Sequence, residues 1–151
     1  MTQTLAEQGA YVRHVSPSFD DDYKGMNICC NAGKHLTYLN MQDGGDSKTA
    51  WKLLKDAEVF VSTYQPESIE AKFVLSPHEP ANHRPGIIVA QGRCYGFDGP
   101  FATRPRFEQN GQTVAGIATA QGSIDSPRLV PDYFLNDWAL GYLGAAAFRR
   151  H

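Results

Sequence analysis

Asp137 heads a segment that reads Asn136-Asp137-Trp138-Ala139-Leu140-Gly141-Tyr142-Leu143-Gly144-Ala145-Ala146-Ala147. An acidic residue followed at once by a small, apolar, Ala/Gly-rich stretch belongs at the start of a helix. There, free backbone N–H groups and the positive end of the helix dipole hold its charge. Such a carboxylate, or Asn136 beside it, can simply cap the helix. The local residues favour the cap; the company Asp137 keeps elsewhere in the chain reverses that preference.

Other residues with chemical potential are dispersed. His14, His35, His78, His83 and His151 form no ligand-type spacing, and His78 and His83 sit in a Pro-rich stretch. No metal site is therefore expected. There is no GxGxxG, GxxxxGK[ST] or HExxH, and no GxSxG elbow, so phosphate-loop, zinc-hydrolase and serine-hydrolase readings lose their usual support. Cys29, Cys30 and Cys94 make an odd set with no CxxC, which points to reduced thiols in an intracellular, cytoplasmic setting rather than a disulfide framework.

The elements that must position these residues follow from periodicity. Leu5-Ala6-Glu7-Gln8-Gly9 reads as the tail of a helix stopped at Gly9. Tyr11-Val12-Arg13-His14-Val15 alternates and reads as a strand, as does Leu36-Thr37-Tyr38-Leu39-Asn40-Met41. Gly44-Gly45-Asp46-Ser47 offers a helix cap, and residues 48–57 place Ala50, Trp51, Leu53, Leu54 and Ala57 on one face. Val59-Phe60-Val61 reads as a buried strand. Gln65-Pro66-Glu67-Ser68 resembles a helix start, residues 77–85 a loop, and Gly86-Ile87-Ile88-Val89-Ala90 a strand. Gly96, Gly99 and Pro100 make the next stretch turn-rich.

Strands alternating with helices predict an α/β fold with an open, mainly parallel, Rossmann-like sheet and flanking helices. Ligands then gather beyond the carboxyl ends of the strands, which here means Ser62-Thr63-Tyr64 and the stretch from Gln91 to Gly96. The chain of 151 residues suits one domain, with 42% apolar and 20% charged residues. A net charge of −2 without a basic block argues against a nucleic-acid surface. No apolar run reaches membrane-spanning length.

Five segments, in order, resemble the class III coenzyme A transferases, the CaiB/BaiF family. Leu5-Ala6-Glu7-Gln8-Gly9-Ala10-Tyr11-Val12 is similar to the family's LADLGADVIKVE, and Asn31-Ala32-Gly33-Lys34-His35-Leu36-Thr37-Tyr38-Leu39 to NRGKRSITLDL. The run from Leu53 to Pro66 is similar to LVRDADVFVENFRPG. Tyr95-Gly96-Phe97-Asp98-Gly99-Pro100-Phe101 is similar to GYGQTGPY, and the Asp137 segment to ADYLTGLLAALG.

The resemblance implies that Asp137 stands where the family keeps its catalytic aspartate. In the family that carboxylate attacks an acyl-CoA thioester to form an acyl-enzyme anhydride, and the released thiolate later returns. Coenzyme A, as acyl-CoA, is thus an implied substrate, and a carboxylic acid the implied acceptor. Lys34, His35, Thr63 and Tyr64 match positions that touch coenzyme A in relatives, and Arg93 stands near a family lysine beside the nucleotide. Relatives form interlocked homodimers and are far longer, so residues 1–151 are expected to represent part of a large domain.

The chain also departs from the pattern. His35 replaces an arginine, and Ser62-Thr63 replaces Glu-Asn. In the racemase branch, of which α-methylacyl-CoA racemase is the type, a histidine precedes the acidic residue of a GHD motif. Arg106-Phe107-Glu108 stands here, so Phe107 disfavours a racemase-like enzyme. A truncated, catalytically inactive relative is the other alternative to a transferase.

Overall fold

The structure is a computed structural model that describes residues 1–16, 24–64, 78–131 and 134–148. It divides into two compact units, residues 2–91 and residues 92–151 together with Met1.

In the first unit, helix α1 (Thr2–Glu7) ends as its sequence predicts. Gly9 adopts φ 92°, a left-handed conformation that a residue without Cβ reaches freely. Its N–H and that of Ala10 close the helix on Ala6 O and Leu5 O at 2.9 and 3.0 Å. Strand β1 (Arg13–Ser16) and strand β2 (His35–Tyr38) are joined through helix α2 (Lys24–Cys30), which sequence periodicity did not reveal. They pair in parallel, with Arg13 opposite His35 and Ser16 opposite Tyr38. The second expected strand stops early because Leu39 and Met41 turn inward, 6% and 4% exposed, and pack with Ala50 and Leu53.

Helix α3 (Gly44–Lys55) starts earlier than the apolar spacing suggested. Its cap is Asp43, whose Oδ1 accepts from Gly45 N at 2.8 Å and Asp46 N at 3.1 Å. Asp46 in turn accepts from Asn40 N at 2.8 Å, which ties the helix start to the end of β2. Strand β3 (Val59–Ser62) pairs in parallel with β4 (Ile88–Gln91). Within β3 only Ser62 is buried; the preceding three residues are half-buried.

Residues 77–85 are not all loop. Glu79–His83 form helix α4, with Pro80 in the first turn, where its missing N–H is harmless. Pro80 is buried, and Trp51 of α3 stacks on His83 at 3.9 Å between ring centroids. That tertiary contact rewards a helix that a Pro-rich sequence does not advertise. The helix start expected at Gln65-Pro66-Glu67-Ser68 lies outside the described residues.

The α/β class stands. Among the described residues the strands form two separate two-stranded parallel sheets, β1–β2 and β3–β4.

The second unit opens with a turn-rich stretch in which Gly96 and Gly99 adopt φ of 75° and 96°. Helix α5 (Glu108–Val114) and helix α6 (Ile117–Gln121) follow, joined through Gly116 at φ 75°. Helix α7 (Leu135–Phe148) is the Ala/Gly-rich segment, and it packs against α5. Helix α5 is anchored by its buried polar residues Glu108 and Gln112, whereas the five-residue α6 buries only Ala118. No helix among the described residues is long and apolar enough to cross a membrane.

Candidate active site around Asp137

Asp137 is the third residue of α7, inside its first turn. Neither it nor Asn136 caps the helix, which corrects the local reading of the sequence. The cap comes from another element: Glu108, the first residue of α5. Its Oε1 accepts from Asn136 N at 3.0 Å, and its Oε2 accepts from Asp137 N at 2.9 Å. The orphan N–H groups of the α7 start are thus satisfied by a carboxylate 29 residues upstream.

Glu108 is itself held. Gln112, one turn along α5 and so on the same face, donates from Nε2 to Glu108 Oε1 at 2.9 Å. Gln112 Oε1 accepts from Val130 N at 2.9 Å, which pins the approach to α7. Glu108 and Gln112 are 5% and 2% exposed. A buried charge persists only where hydrogen bonds replace its water, and here three do so.

The two carboxyl groups are driven in opposite directions. Burial alone would raise the Glu108 pKa. Hydrogen bonds from the Asn136 backbone, the Gln112 side chain and the Asp137 backbone outweigh burial and hold it below the usual glutamate range. Asp137 is an exposed residue, yet its carboxyl lies above the usual aspartate range. Partial desolvation is the larger cause and the Glu108 charge the second. Paired acids whose pKa values are pushed apart are a recurring active-site arrangement.

Gly111 completes this corner. A Cβ there would lie 2.9 Å from Cys94 Sγ and 3.0 Å from Asn136 Nδ2. The bare Cα therefore lets the Cys94 loop and the start of α7 close onto α5. The Cys94 thiol is pushed upward by desolvation; the Arg106 charge opposes this, and Asp137 and Glu108 add to it.

The other sequence-derived residues divide between the units. Lys34 and His35 stand at the amino end of β2. Lys34 Nζ donates to Asn31 Oδ1 at 3.2 Å, and desolvation lowers its pKa, with Cys30 opposing. His35 stacks on Tyr11 at 4.3 Å between ring centroids. Thr63 and Tyr64 follow the carboxyl end of β3, where Tyr64 N donates to Ser62 Oγ at 3.4 Å. The two pairs thus occupy opposite ends of their own strands. Arg93 lies in the second unit with Asp137; its Cζ sits 4.6 Å over the Phe97 ring, and its Nε is buried without a hydrogen-bond partner among the described residues.

Gln112, Cys94 and Gly111 were not singled out by sequence, and Glu108 appeared only as the neighbour of Phe107. The one legible trace was the Glu108/Gln112 pair at helical spacing, a polar pattern that also describes any solvated helix face.

Comparison with known proteins places these features. Residues 1–149 match CoA-transferase family III. The chain is 29% identical to the acetyl-coenzyme A transferase nodX of Hypoxylon pulicicidum, over 97% of this chain and 26% of that protein. It is 32% identical to an acyl-CoA transferase of Gibberella moniliformis, over 93% of this chain and 26% of that protein. It therefore spans about a quarter of the length of these curated relatives. Among solved structures, Rv3272 of Mycobacterium tuberculosis superposes with a TM-score of 0.82 at 22% identity, covering 98% of this chain and 43% of that one. A CaiB/BaiF family protein from Brucella suis gives 0.79 at 20% identity, covering 99% and 44%. These likenesses support the α/β architecture, and the family match extends to the Asp137 and Glu108 segments: this chain belongs to CoA-transferase family III.

Proposed function

We propose that the chain carries the nucleophile of an enzyme that moves coenzyme A from an acyl-CoA thioester to a carboxylic acid, and that this nucleophile is Asp137. The observation that carries the reading is the carboxyl pair. Buried, hydrogen-bonded Glu108 stays ionised and fixes the helix start, while Asp137 projects from the same turn with raised proton affinity. A more basic carboxylate is a better nucleophile, and a fixed one is an aimed one.

In the proposed cycle, an Asp137 carboxylate oxygen attacks the thioester carbonyl carbon. The C–S bond breaks, coenzyme A leaves as the thiolate, and an aspartyl–acyl anhydride remains. The thiolate then attacks the aspartyl carbonyl, releasing the donor's carboxylate and leaving an aspartyl thioester. The acceptor carboxylate attacks that thioester, giving a second anhydride and free thiolate. Attack of the thiolate on the acceptor's acyl carbon yields the new acyl-CoA and restores Asp137. Each step conserves charge and needs no external acid or base. Lys34, His35, Thr63, Tyr64 and Arg93 are assigned to the coenzyme A side by family resemblance, Arg93 with a guanidinium suited to phosphate. A homodimer, carried over from the longer relatives, belongs to the same reading.

Mass spectrometry after incubation with acetyl-CoA tests this. A hydroxylamine-sensitive adduct mapping to Asp137, absent from Asp137→Ala, is the expected result. A folded chain that never acquires the adduct refutes activity and leaves a non-catalytic relative.

A further inference from the structure

We propose that Gly141 and Gly144 are positioning residues for Asp137: their bare Cα atoms let Met1 lie along the face of α7 that carries this carboxylate, and that cover limits the water around it. The inference rests on the transferase reading above, in which Asp137 is the nucleophile.

Within α7, Gly141 follows Asp137 by four residues and Gly144 follows Gly141 by three. Residues so spaced share one face of a helix. Met1 is seated along that face, and it belongs to the same compact unit as α7. A Cβ at Gly141 would lie 2.8 Å from Met1 N. One at Gly144 would lie 2.9 Å from Met1 Sδ and 3.1 Å from Met1 Cγ, with Met1 Cε closer still. The Met1 main chain therefore rests on Gly141 and its thioether on Gly144. Both glycines are half-buried, whereas Tyr142 and Leu143 between them are 53% and 72% exposed. Glycine weakens a helix interior relative to alanine. Two glycines on one face are accounted for here by the close approach of Met1, which an alanine at either position would exclude.

The seat ends beside Asp137. Residues four apart on a helix hold their Cβ atoms about 5–6 Å apart. Met1 N, 2.8 Å from the Gly141 Cβ position, thus lies within about 9 Å of the Asp137 Cβ and on its face of the helix. Asp137 is exposed as a residue, yet desolvation is the larger cause of its raised proton affinity, with the Glu108 charge second. Among the described residues, Glu108 on α5 and the Cys94 thiol on the preceding stretch are the titratable groups that act on Asp137 or sense it. Neither is altered by a substitution at Gly141 or Gly144. Glu108 supplies the charge, and Met1 supplies cover.

The test titrates the Asp137 carboxyl by 13C NMR in the full chain, as wild type, Gly141→Ala and Gly144→Ala. A nuclear Overhauser contact between the Met1 methyl and Gly144 reports the seat. Alanine favours helix, so α7 should persist in both variants, and amide spectra check this. Both variants should lose the Met1 contact, and the Asp137 titration should fall toward the ordinary aspartate range. The pH at which adduct formation with acetyl-CoA reaches half its maximal rate should fall with it. A wild type without the Met1 contact overturns the proposal, as does a variant that retains it. An Asp137 titration unchanged in a folded variant that has lost the contact also overturns it, because the glycines would then serve packing alone. Gly141→Ala is decisive by itself where Gly144→Ala does not fold. Failure of both to fold overturns the proposal too, since the glycines would then be required by the fold. Absence of an adduct in wild type with the titration pattern intact would instead refute the transferase reading alone.

Discussion

Replacing Glu108 tests the cross-element cap directly. Glu108→Ala removes three hydrogen bonds, at 2.9, 2.9 and 3.0 Å. At about 1 kcal/mol net for each, and more where the acceptor is charged, the loss is about 3–5 kcal/mol. The estimate fits a helix cap worth about 1 kcal/mol plus a stranded Gln112 amide at about 1–3 kcal/mol. Glu108→Gln should cost less. Its carbonyl oxygen can keep the Oε1 position, which serves Asn136 N and Gln112 Nε2. Its amide then replaces Oε2 and faces the Asp137 N–H as donor against donor. One bond and one charge are lost, for about 1–2 kcal/mol.

Thermal melts and amide exchange at Asn136 and Asp137 are the assays. For a chain of this size each kcal/mol lowers the midpoint by about 2–4 °C. Protection of those two amides should fall in Glu108→Ala and fall partly in Glu108→Gln. Acid should imitate the mutation. Because folding depresses the Glu108 pKa, its contribution is complete above the unfolded glutamate value and is lost as pH falls through the folded one. Unchanged midpoints and unchanged protection in Glu108→Ala would refute the cap.

Asp137→Asn should abolish the hydroxylamine-sensitive adduct while leaving the midpoint at neutral pH equal or slightly higher. Folding raises the Asp137 pKa, so its ionised form opposes folding once pH exceeds the folded value, and the amide removes that charge. A lower midpoint would contradict the sign. Gly111→Ala should cost about 1–3 kcal/mol, since its Cβ would meet Cys94 Sγ at 2.9 Å. Adding Cys94→Ala should restore part of the loss, and a double-mutant cycle by urea melts that shows strict additivity would remove Cys94 from the corner. Asp43→Ala should destabilise by about 1 kcal/mol through loss of the α3 cap, read from the same melts; no change would mean that solvent replaces the cap without penalty.

Much of the architecture is local and was therefore readable along the chain. The stop at Gly9 needs only a residue that tolerates positive φ. The β3 and β4 runs are β-branched and end at polar residues, and α3 follows from the spacing of Ala50, Leu53 and Leu54. Asp137 could be singled out because a carboxylate before an Ala/Gly helix is a local pattern, and because five segments in register resemble one family. Helix α4 was missed because its stability comes from His83 stacking on Trp51, a partner more than thirty residues away. Helix α5 was missed because its polar anchoring leaves no apolar period to detect, and α6 because five residues are too few to show one.

What the sequence determined by itself is the class of fold, the family to which it is similar, and Asp137 as the proposed nucleophile. Each of these depends on neighbours along the chain or on order within it. The tertiary structure alone decided how that residue is held. A glutamate 29 positions away caps its helix and keeps its own charge through borrowed N–H groups; desolvation first and that charge second raise the proton affinity of Asp137. Burial and a hydrogen bond across such a gap depend on where two helices meet, and no periodicity along either helix encodes that meeting.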